Sequence, residues 1–281
     1  MDTMPLAVVV GAGGMGAVIA RTLAADYRVL LVDIDLQRAI AVADAIRAEG
    51  AQIDAAHCDV TSHASVHSLA DLVAERGGLR VLAHVAGLSP TMGDFDRILR
   101  VNLLGPALVT EALLPHAVPG AAAVLIASLG AHVCAFDDNV LAILRESANA
   151  PDLPDRLRPA LQNATADANA AYQLSKFGLI MLARRLASEW CARDARIVSL
   201  SPGIIVTPMG DKEFDDNPAK RKLFEMSPIK RQGTMEEIAD VVAFLVSSKA
   251  SFISGTDILV DGGFSGALSD VPFRGVQGSG R

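Results

Sequence analysis

Three cysteines in 281 residues, Cys58, Cys134 and Cys191, are too few and too scattered to frame a disulfide scaffold or a zinc site. They read as reduced thiols, which points to a cytoplasmic protein. Positive charge is also scarce. Against 32 Asp and Glu stand 25 Lys and Arg, leaving a net charge of −7. That balance excludes the basic stripe that binds a nucleic-acid backbone, and it offers nothing to an anionic membrane surface. No basic region precedes the first apolar run, so no signal peptide is expected. The most apolar stretch, 119–136, is interrupted by two glycines, Ser128 and His132. A membrane helix needs about 20 apolar residues, and a buried strand with its following loop explains this run better. No internal repeat is visible. What is present is a chain 51% hydrophobic and 20% charged, long enough for one α/β domain with a sizeable core.

Along the chain, apolar β-branched runs alternate with helical periodicities. Strands are expected at Leu6–Val10, Arg28–Val32, Gln52–Cys58, Arg80–Val85, Ala122–Ala127, Ile197–Leu200 and Asp257–Val260. Helices are expected up to about Asp26, then over Leu36–Glu49, Ser62–Arg76, Phe95–Leu114, from Tyr172 to Ala192, and over Thr234–Ser247. Thr234 and Glu237 have the spacing of a capping box. Strands that are apolar throughout, separated by helices, imply a doubly wound parallel sheet of about seven strands with helices on both faces. Residues 136–168 break the pattern with Asp137-Asp138-Asn139, Pro151, Pro154 and Pro159. They read as an insertion of one or two short helices, either a lid over a ligand or an oligomer-interface element. The domain is expected to span 1–268, followed by a Gly-rich tail over 269–281. Residues 207–224 read as a helical flap with apolar Phe214, Leu223, Phe224 and Met226 at or near it.

The first strand runs into Gly11-Ala12-Gly13-Gly14-Met15-Gly16, a GxGxxG spacing that opens a helix. The first glycine permits a tight turn, the second a close approach of pyrophosphate, and the third close helix–strand packing. The helix N-terminus adds backbone donors and a positive dipole end. Asp33 ends the second strand, 17 residues after Gly16, where a carboxylate can accept from a ribose diol and repel a 2′-phosphate. Ile34 follows in place of a basic residue, so NAD is expected over NADP. Asp59 is placed to meet an adenine amine. Tyr172 and Lys176 share one helix face at i and i+4. A nearby ammonium favours phenolate and suits the phenol to acid/base work.

Together these residues resemble the short-chain dehydrogenase/reductase family over roughly residues 5–265. The features fall in the family's order: the glycine turn, Asp33, Asp59-Val60, Ala86-Gly87, Asn102, Ser128, Tyr172 with Lys176, Pro202-Gly203 with Thr207, and Asp261-Gly262-Gly263. The resemblance implies a Rossmann-type domain that transfers hydride between nicotinamide and an alcohol or carbonyl carbon, without metal. Tyr172 is then the acid/base, and Ser128 holds the substrate oxygen. Lys176 lowers the phenol pKa and binds the nicotinamide ribose, Asn102 positions a relay water, and Ile205 and Thr207 hold the carboxamide. The resemblance also implies a homodimer or homotetramer. The apolar flap and the insertion suggest a bulky secondary alcohol or ketone such as a hydroxysteroid. A non-catalytic cofactor sensor of the same fold is the rival reading. A sugar-nucleotide epimerase or dehydratase lacks the C-terminal domain it would need, since only 20 residues follow Asp261.

Three features depart from the family pattern. The glycine turn is one residue short and is preceded by Val10 rather than Thr. The usual Asn-Asn-Ala-Gly reads His84-Val85-Ala86-Gly87, with His84 as a structural replacement. Ser128 and Tyr172 stand 44 residues apart, a far longer interval than usual, which the insertion explains if both still face one pocket.

Overall fold

A computed structural model describes residues 4–133, 136–147, 150–161, 166–206 and 227–269. In chain order the elements are β1 (Leu6–Val10), α1 (Gly14–Leu23), β2 (Arg28–Asp33), α2 (Leu36–Ala48), β3 (Ile53–His57), α3 (His63–Glu75) and β4 (Leu79–His84). There follow α4 (Phe95–Leu99), α5 (Gly105–Leu113), β5 (Ala117–Ile126), α6 (Asp138–Ser147), α7 (Leu153–Ala160) and α8 (Ala168–Cys191). Last come β6 (Arg196–Pro202), α9 (Met235–Val246), β7 (Asp257–Val260) and α10 (Phe264–Ser269). The seven strands form one sheet in the order β3-β2-β1-β4-β5-β6-β7, and every pairing is parallel. Both faces are covered, which is why the central strands are apolar on both sides. Along β1, Ala7 and Val9 join the core under α1, α2 and α9, while Leu6, Val8 and Val10 join the core under α3, α5 and α8.

The strands and helices arise where the apolar periodicity puts them, with small shifts at the ends. Side-chain oxygens cap the helices: Asp35 starts α2, Ser62 α3, Asp94 α4 and Asp167 α8. Thr234 and Glu237 close the expected capping box on α9. β5 begins at Ala117, earlier than the apolar run suggests, and reaches back through Pro119 and Gly120 with a register shift against β4. The apolar stretch is thus strand up to Ile126, followed by a loop with one short 3-10 turn, Leu129–Ala131. The one helical run among the described residues with the length and hydropathy of a membrane span is Phe95–His116, and 56% of it is buried inside the molecule. That is the mark of a core helix.

The expected helix over Phe95–Leu114 is not continuous. Between α4 and α5 the backbone widens into a π turn, Arg100–Leu104. Leu103 of that turn is fully buried, and its Cδ2 lies 2.5 Å from where a Cβ on Gly178 would stand. The missing side chain at Gly178 therefore lets α8 close onto the π turn.

The segment between β5 and α8 is docked against the body. Val140, Leu144, Leu153 and Leu157 are buried, and α6 and α7 lie against α8 and α4. Phe136 meets Phe177 edge-on at 6.0 Å. Arg158 pairs with Asp96 at 2.6 Å and covers the Phe95 ring at 4.9 Å. Burying each leucine is worth roughly 1.5–3 kcal/mol, whereas an exposed ion pair contributes under about 1 kcal/mol, so apolar burial holds the segment down.

Leu103→Ala should lower unfolding free energy by about 2–5 kcal/mol through the cavity it leaves, with an unchanged urea m-value. Urea titration followed by circular dichroism measures it.

Candidate active site

The carboxyl ends of β1, β2 and β4 build the first half of the site. Gly11 leaves β1 at φ +104, and a Cβ there would stand 2.8 Å from the Ala86 nitrogen. A Cβ on Gly16 would stand 1.9 Å from the Gly11 carbonyl, so no side chain fits. Gly13 is different: nothing lies within 4 Å of its Cβ position, and this open side faces the start of α1. As the N-cap of α1, Gly13 has no side-chain oxygen to satisfy the first helical N–H groups, which include those of Gly14 and Met15. A bare, uncapped N-terminus with open backbone in front of it fits a pyrophosphate.

Asp33 has a duty that its position in the sequence conceals. Its carboxylate accepts from Ala12 N at 2.7 Å and from Asp35 N at 2.8 Å, and the residue is buried. It clamps the glycine turn to the end of β2, and its remaining lone pairs are still available to a diol. Ile34 beside it is 65% exposed. Asp59 accepts from the backbone and hydroxyl of Thr61 at 2.9 and 2.7 Å, and Val60 is buried behind it. Ala86 donates its N–H to the Val10 carbonyl at 2.8 Å, which keeps Ala86-Gly87 against the glycine turn.

The second half gathers Ser128, Tyr172, Lys176 and Asn102. Ser128 follows β5 and its hydroxyl accepts from Gly130 N at 3.1 Å. It stands beside the Tyr172 ring, since Ser128 Oγ and Tyr172 Cε1 both lie 3.5 Å from where a Cβ on Gly130 would stand. The insertion therefore leaves the two groups side by side despite their 44-residue separation. Lys176 lies one turn along α8, buried, with Nζ donating to the Ile126 carbonyl at 2.8 Å and standing 5.8 Å from the Tyr172 ring centre. Pro202 and Gly203 end β6, where Gly203 N donates to Val260 O at 2.9 Å. Ile205 bridges to Gly233. Thr207 and the flap residues Phe214, Leu223, Phe224 and Met226 lie outside the described residues, as does Cys134.

One expected role is corrected. Burial raises the Tyr172 phenol above its usual pKa, offset in part by the Ser128 hydrogen bond, rather than Lys176 lowering it. Burial also pulls the Lys176 ammonium down to about 8, so in the cofactor-free protein the lysine loses its charge before the phenol ionises. The Asn102 amide is committed too. Its Oδ1 accepts from Leu88 N at 2.7 Å and its Nδ2 donates to Leu88 O at 3.0 Å. The side chain pins the loop after β4 and keeps a second N–H and a second lone pair.

Sequence reading missed a polar cluster beside the site. His132 Nε2 lies 2.9 Å from Asp257 Oδ2 and 3.2 Å from Ser201 Oγ, and Ser199 Oγ donates to Asp257 Oδ1 at 2.6 Å. Both His132 contacts use one nitrogen. A nucleophile–base–acid relay needs the two nitrogens separately, so the cluster ties the Ser128 loop to β6 and β7 instead. The alternation of Ser199 and Ser201 along a strand was its only signal. Burial pushes the Cys58 thiol up to about 11, which makes it a poor nucleophile. Among the described residues no three His, Cys, Asp or Glu side chains converge as a metal site would require.

The sequence profile described as short chain dehydrogenase matches residues 5–137, and that described as enoyl-(acyl carrier protein) reductase matches 160–265. The short-chain dehydrogenase/reductase bsc3 of Alternaria brassicicola is 34% identical, over 93% of this chain and 96% of its own. D-threitol dehydrogenase of Mycolicibacterium smegmatis is 32% identical, over 92% of each chain. The 3-alpha-hydroxysteroid dehydrogenase/carbonyl reductase of Comamonas testosteroni is 30% identical, over 93% of this chain and 96% of its own. A solved short-chain dehydrogenase/reductase from Serratia marcescens superposes with a TM-score of 0.74 at 25% identity, covering 94% of this chain and 98% of that one. The chain belongs to the short-chain dehydrogenase/reductase family. It is an oxidoreductase of that family, whose members use NAD(P).

Because the native state binds Lys176 in a site that disfavours its charge, stability should rise with pH between about 8 and 10.5, where the unfolded chain holds more protons. Lys176→Met should therefore stabilise the cofactor-free protein at pH 7, and that advantage should shrink by roughly 3 kcal/mol by pH 10.5. Urea unfolding of both proteins at the two pH values decides it.

Proposed function

We propose that this protein is an NAD-dependent dehydrogenase that interconverts a secondary alcohol and its ketone, with Tyr172 exchanging the proton. The observation that carries the reading is the meeting of Ser128 and Tyr172 beside a buried Lys176. A nicotinamide, when bound, supplies or accepts the hydride. The residues do the rest. Ser128 holds the substrate oxygen against the phenol, which fixes the reacting geometry. Tyr172 donates its proton to that oxygen as a ketone is reduced, and takes the hydroxyl proton as an alcohol is oxidised. The raised phenol stays protonated at neutral pH, which favours its role as an acid towards a ketone. Lys176, one turn along α8, binds the ribose next to the ring.

The glycine turn over Gly11, Gly13, Gly14, Met15 and Gly16 holds the pyrophosphate, with Ala86-Gly87 packed against it. Asp59 and Val60 border the adenine. Pro202, Gly203, Ile205 and Thr207 border the carboxamide. Asn102 supports the site by pinning Leu88. Asp33 selects NAD because a 2′-phosphate would meet its carboxylate, and Ile34 brings no compensating charge. One domain over 1–268 carries this activity, working as a cytoplasmic homodimer or homotetramer. The substrate class is a bulky apolar alcohol of hydroxysteroid type. The Comamonas relative and the apolar residues of the insertion support that choice, while the threitol relative makes a polyol the comparison substrate for the same assay.

Tyr172→Phe should lower kcat by about 10²–10⁴-fold while leaving NAD affinity by calorimetry within a factor of a few. A sensor would keep its behaviour in that variant. Oxidation should speed up as pH rises and reduction should slow, since the phenol must be deprotonated for one and protonated for the other; initial rates in both directions test this. Asp33→Asn keeps an acceptor for Ala12 N and removes the charge. It should move the NAD-to-NADP preference by about tenfold towards NADP, the ratio set by roughly 1.4 kcal/mol, read from kcat/KM with each cofactor.

A further inference from the structure

Ser128 caps a single 3-10 turn, Leu129–Ala131, and His132 closes it. Within the turn the Ser128 hydroxyl accepts from Gly130 N at 3.1 Å and the Ser128 carbonyl from Ala131 N at 3.0 Å. The Leu129 carbonyl accepts from His132 N at 2.8 Å. These bonds fix the shape of the turn, so Ser128 and His132 move as one piece. They do not fix where that piece stands against α8. The fit there is close: the Cβ position of Gly130 is 3.5 Å from both Ser128 Oγ and Tyr172 Cε1. A displacement of about an ångström would part the hydroxyl from the tyrosine, and misplacement on that scale is costly for reacting groups.

Packing gives the turn little hold. Among residues 129–133, Ala131 alone is buried. Its entry is fixed by Ala127 N, which donates to Leu200 O at 2.7 Å. Its exit is fixed by the His132 ring. Asp257 opens β7 in register with Ser199 of β6, so their side chains share a face, the one that Ile197 turns to the core under α8. The Asp257 side chain is only 6% exposed, and Ser199 and Ser201 are fully buried. A carboxylate so placed needs bonded partners. Its Oδ1 accepts from Ser199 Oγ at 2.6 Å, and its Oδ2 lies 2.9 Å from His132 Nε2, which is also 3.2 Å from Ser201 Oγ. The anchor is thus immobilised by the sheet before it meets the ring.

We propose that His132 is a positioning residue for Ser128: through its bond to the buried Asp257 it holds the 3-10 turn where the serine hydroxyl meets the substrate oxygen beside Tyr172. The inference rests on the reading of Ser128 and Tyr172 as the groups that meet that oxygen. It assigns the depth of Ser128 to a contact reaching 125 residues along the chain. β7 lies at the opposite edge of the sheet from β2 and β3, so the tether acts on the substrate half of the site and leaves the glycine turn and Asp33 alone.

His132→Leu should lower kcat for ketone reduction by about 10–100-fold, while NAD affinity by calorimetry stays within a factor of about two. His132→Gln, whose amide nitrogen reaches as far as Nε2 and can donate to the carboxylate, should recover most of the loss. In a Ser128→Ala background His132→Leu should cost less than about threefold, because the group it positions is already gone. An equal loss in both backgrounds makes His132 a general support and overturns the proposal, as does a parental kcat in His132→Leu. Should His132→Leu not fold, Asp257→Val removes the same bond from the other side and is judged in the same two backgrounds. Amide hydrogen exchange reads the tether without turnover. In whichever variant folds, the Gly130 and Ala131 amides should exchange about tenfold faster than in the parent, and unchanged exchange refutes the proposal. A parent that turns over no alcohol or ketone counts against the dehydrogenase reading, and exchange then decides whether His132 holds the turn.

Discussion

The burial of one ammonium organises this molecule. Lys176 sits inside, under the carboxyl end of the sheet, with Nζ donating to the Ile126 carbonyl. A charge in such a place is tolerated only with fixed polar partners, and most of the local architecture supplies or positions them. β5 brings the carbonyl and then Ser128. The π turn swings Leu103 into the space left by Gly178, which lets α8 close onto that turn. Asn102 of the same turn pins the loop after β4 through Leu88. Lys176 thus destabilises the fold in order to stand beside Tyr172, a trade common where a site needs a strained or desolvated group.

The same physics explains why the insertion is compatible with the site. It enters after the Ser128 loop and returns at Asp167, where a side-chain cap starts α8. Its buried leucines lie on α6 and α7, which pack against α8 and α4. The cluster of His132, Asp257, Ser199 and Ser201 anchors the Ser128 loop from the other side. Held at both ends, the loop keeps its serine against the phenol whatever length of chain is spliced in between.

Much of the fold was legible because parallel strands buried on both faces leave unmistakable apolar runs. Gly11-Ala12-Gly13-Gly14-Met15-Gly16 was legible because Gly11 and Gly16 answer local steric demands while Gly13 leaves the backbone open. Asp33 was legible as a strand-end acid, yet its clamp on Ala12 N needed the turn's three-dimensional path. Asn102 was found, but its bonds to Leu88 were not, since the folded chain alone brings that loop to its amide. The direction of the Tyr172 shift was misread for a similar reason: i and i+4 spacing shows that two side chains are neighbours, but not how much water reaches either one.

The sequence alone determined the order of strands and helices, the glycine turn, the family and the pairing of Tyr172 with Lys176, because periodicity and spacing act over a few residues. Tertiary structure decided which groups meet across the chain. It put Ser128 beside a tyrosine 44 residues away, gave Lys176 its carbonyl, left the His84 Nε2 buried without a hydrogen-bond partner among the described residues and joined His132 to Asp257. Those outcomes depend on burial and on long-range contact, and neither is a local property of the chain.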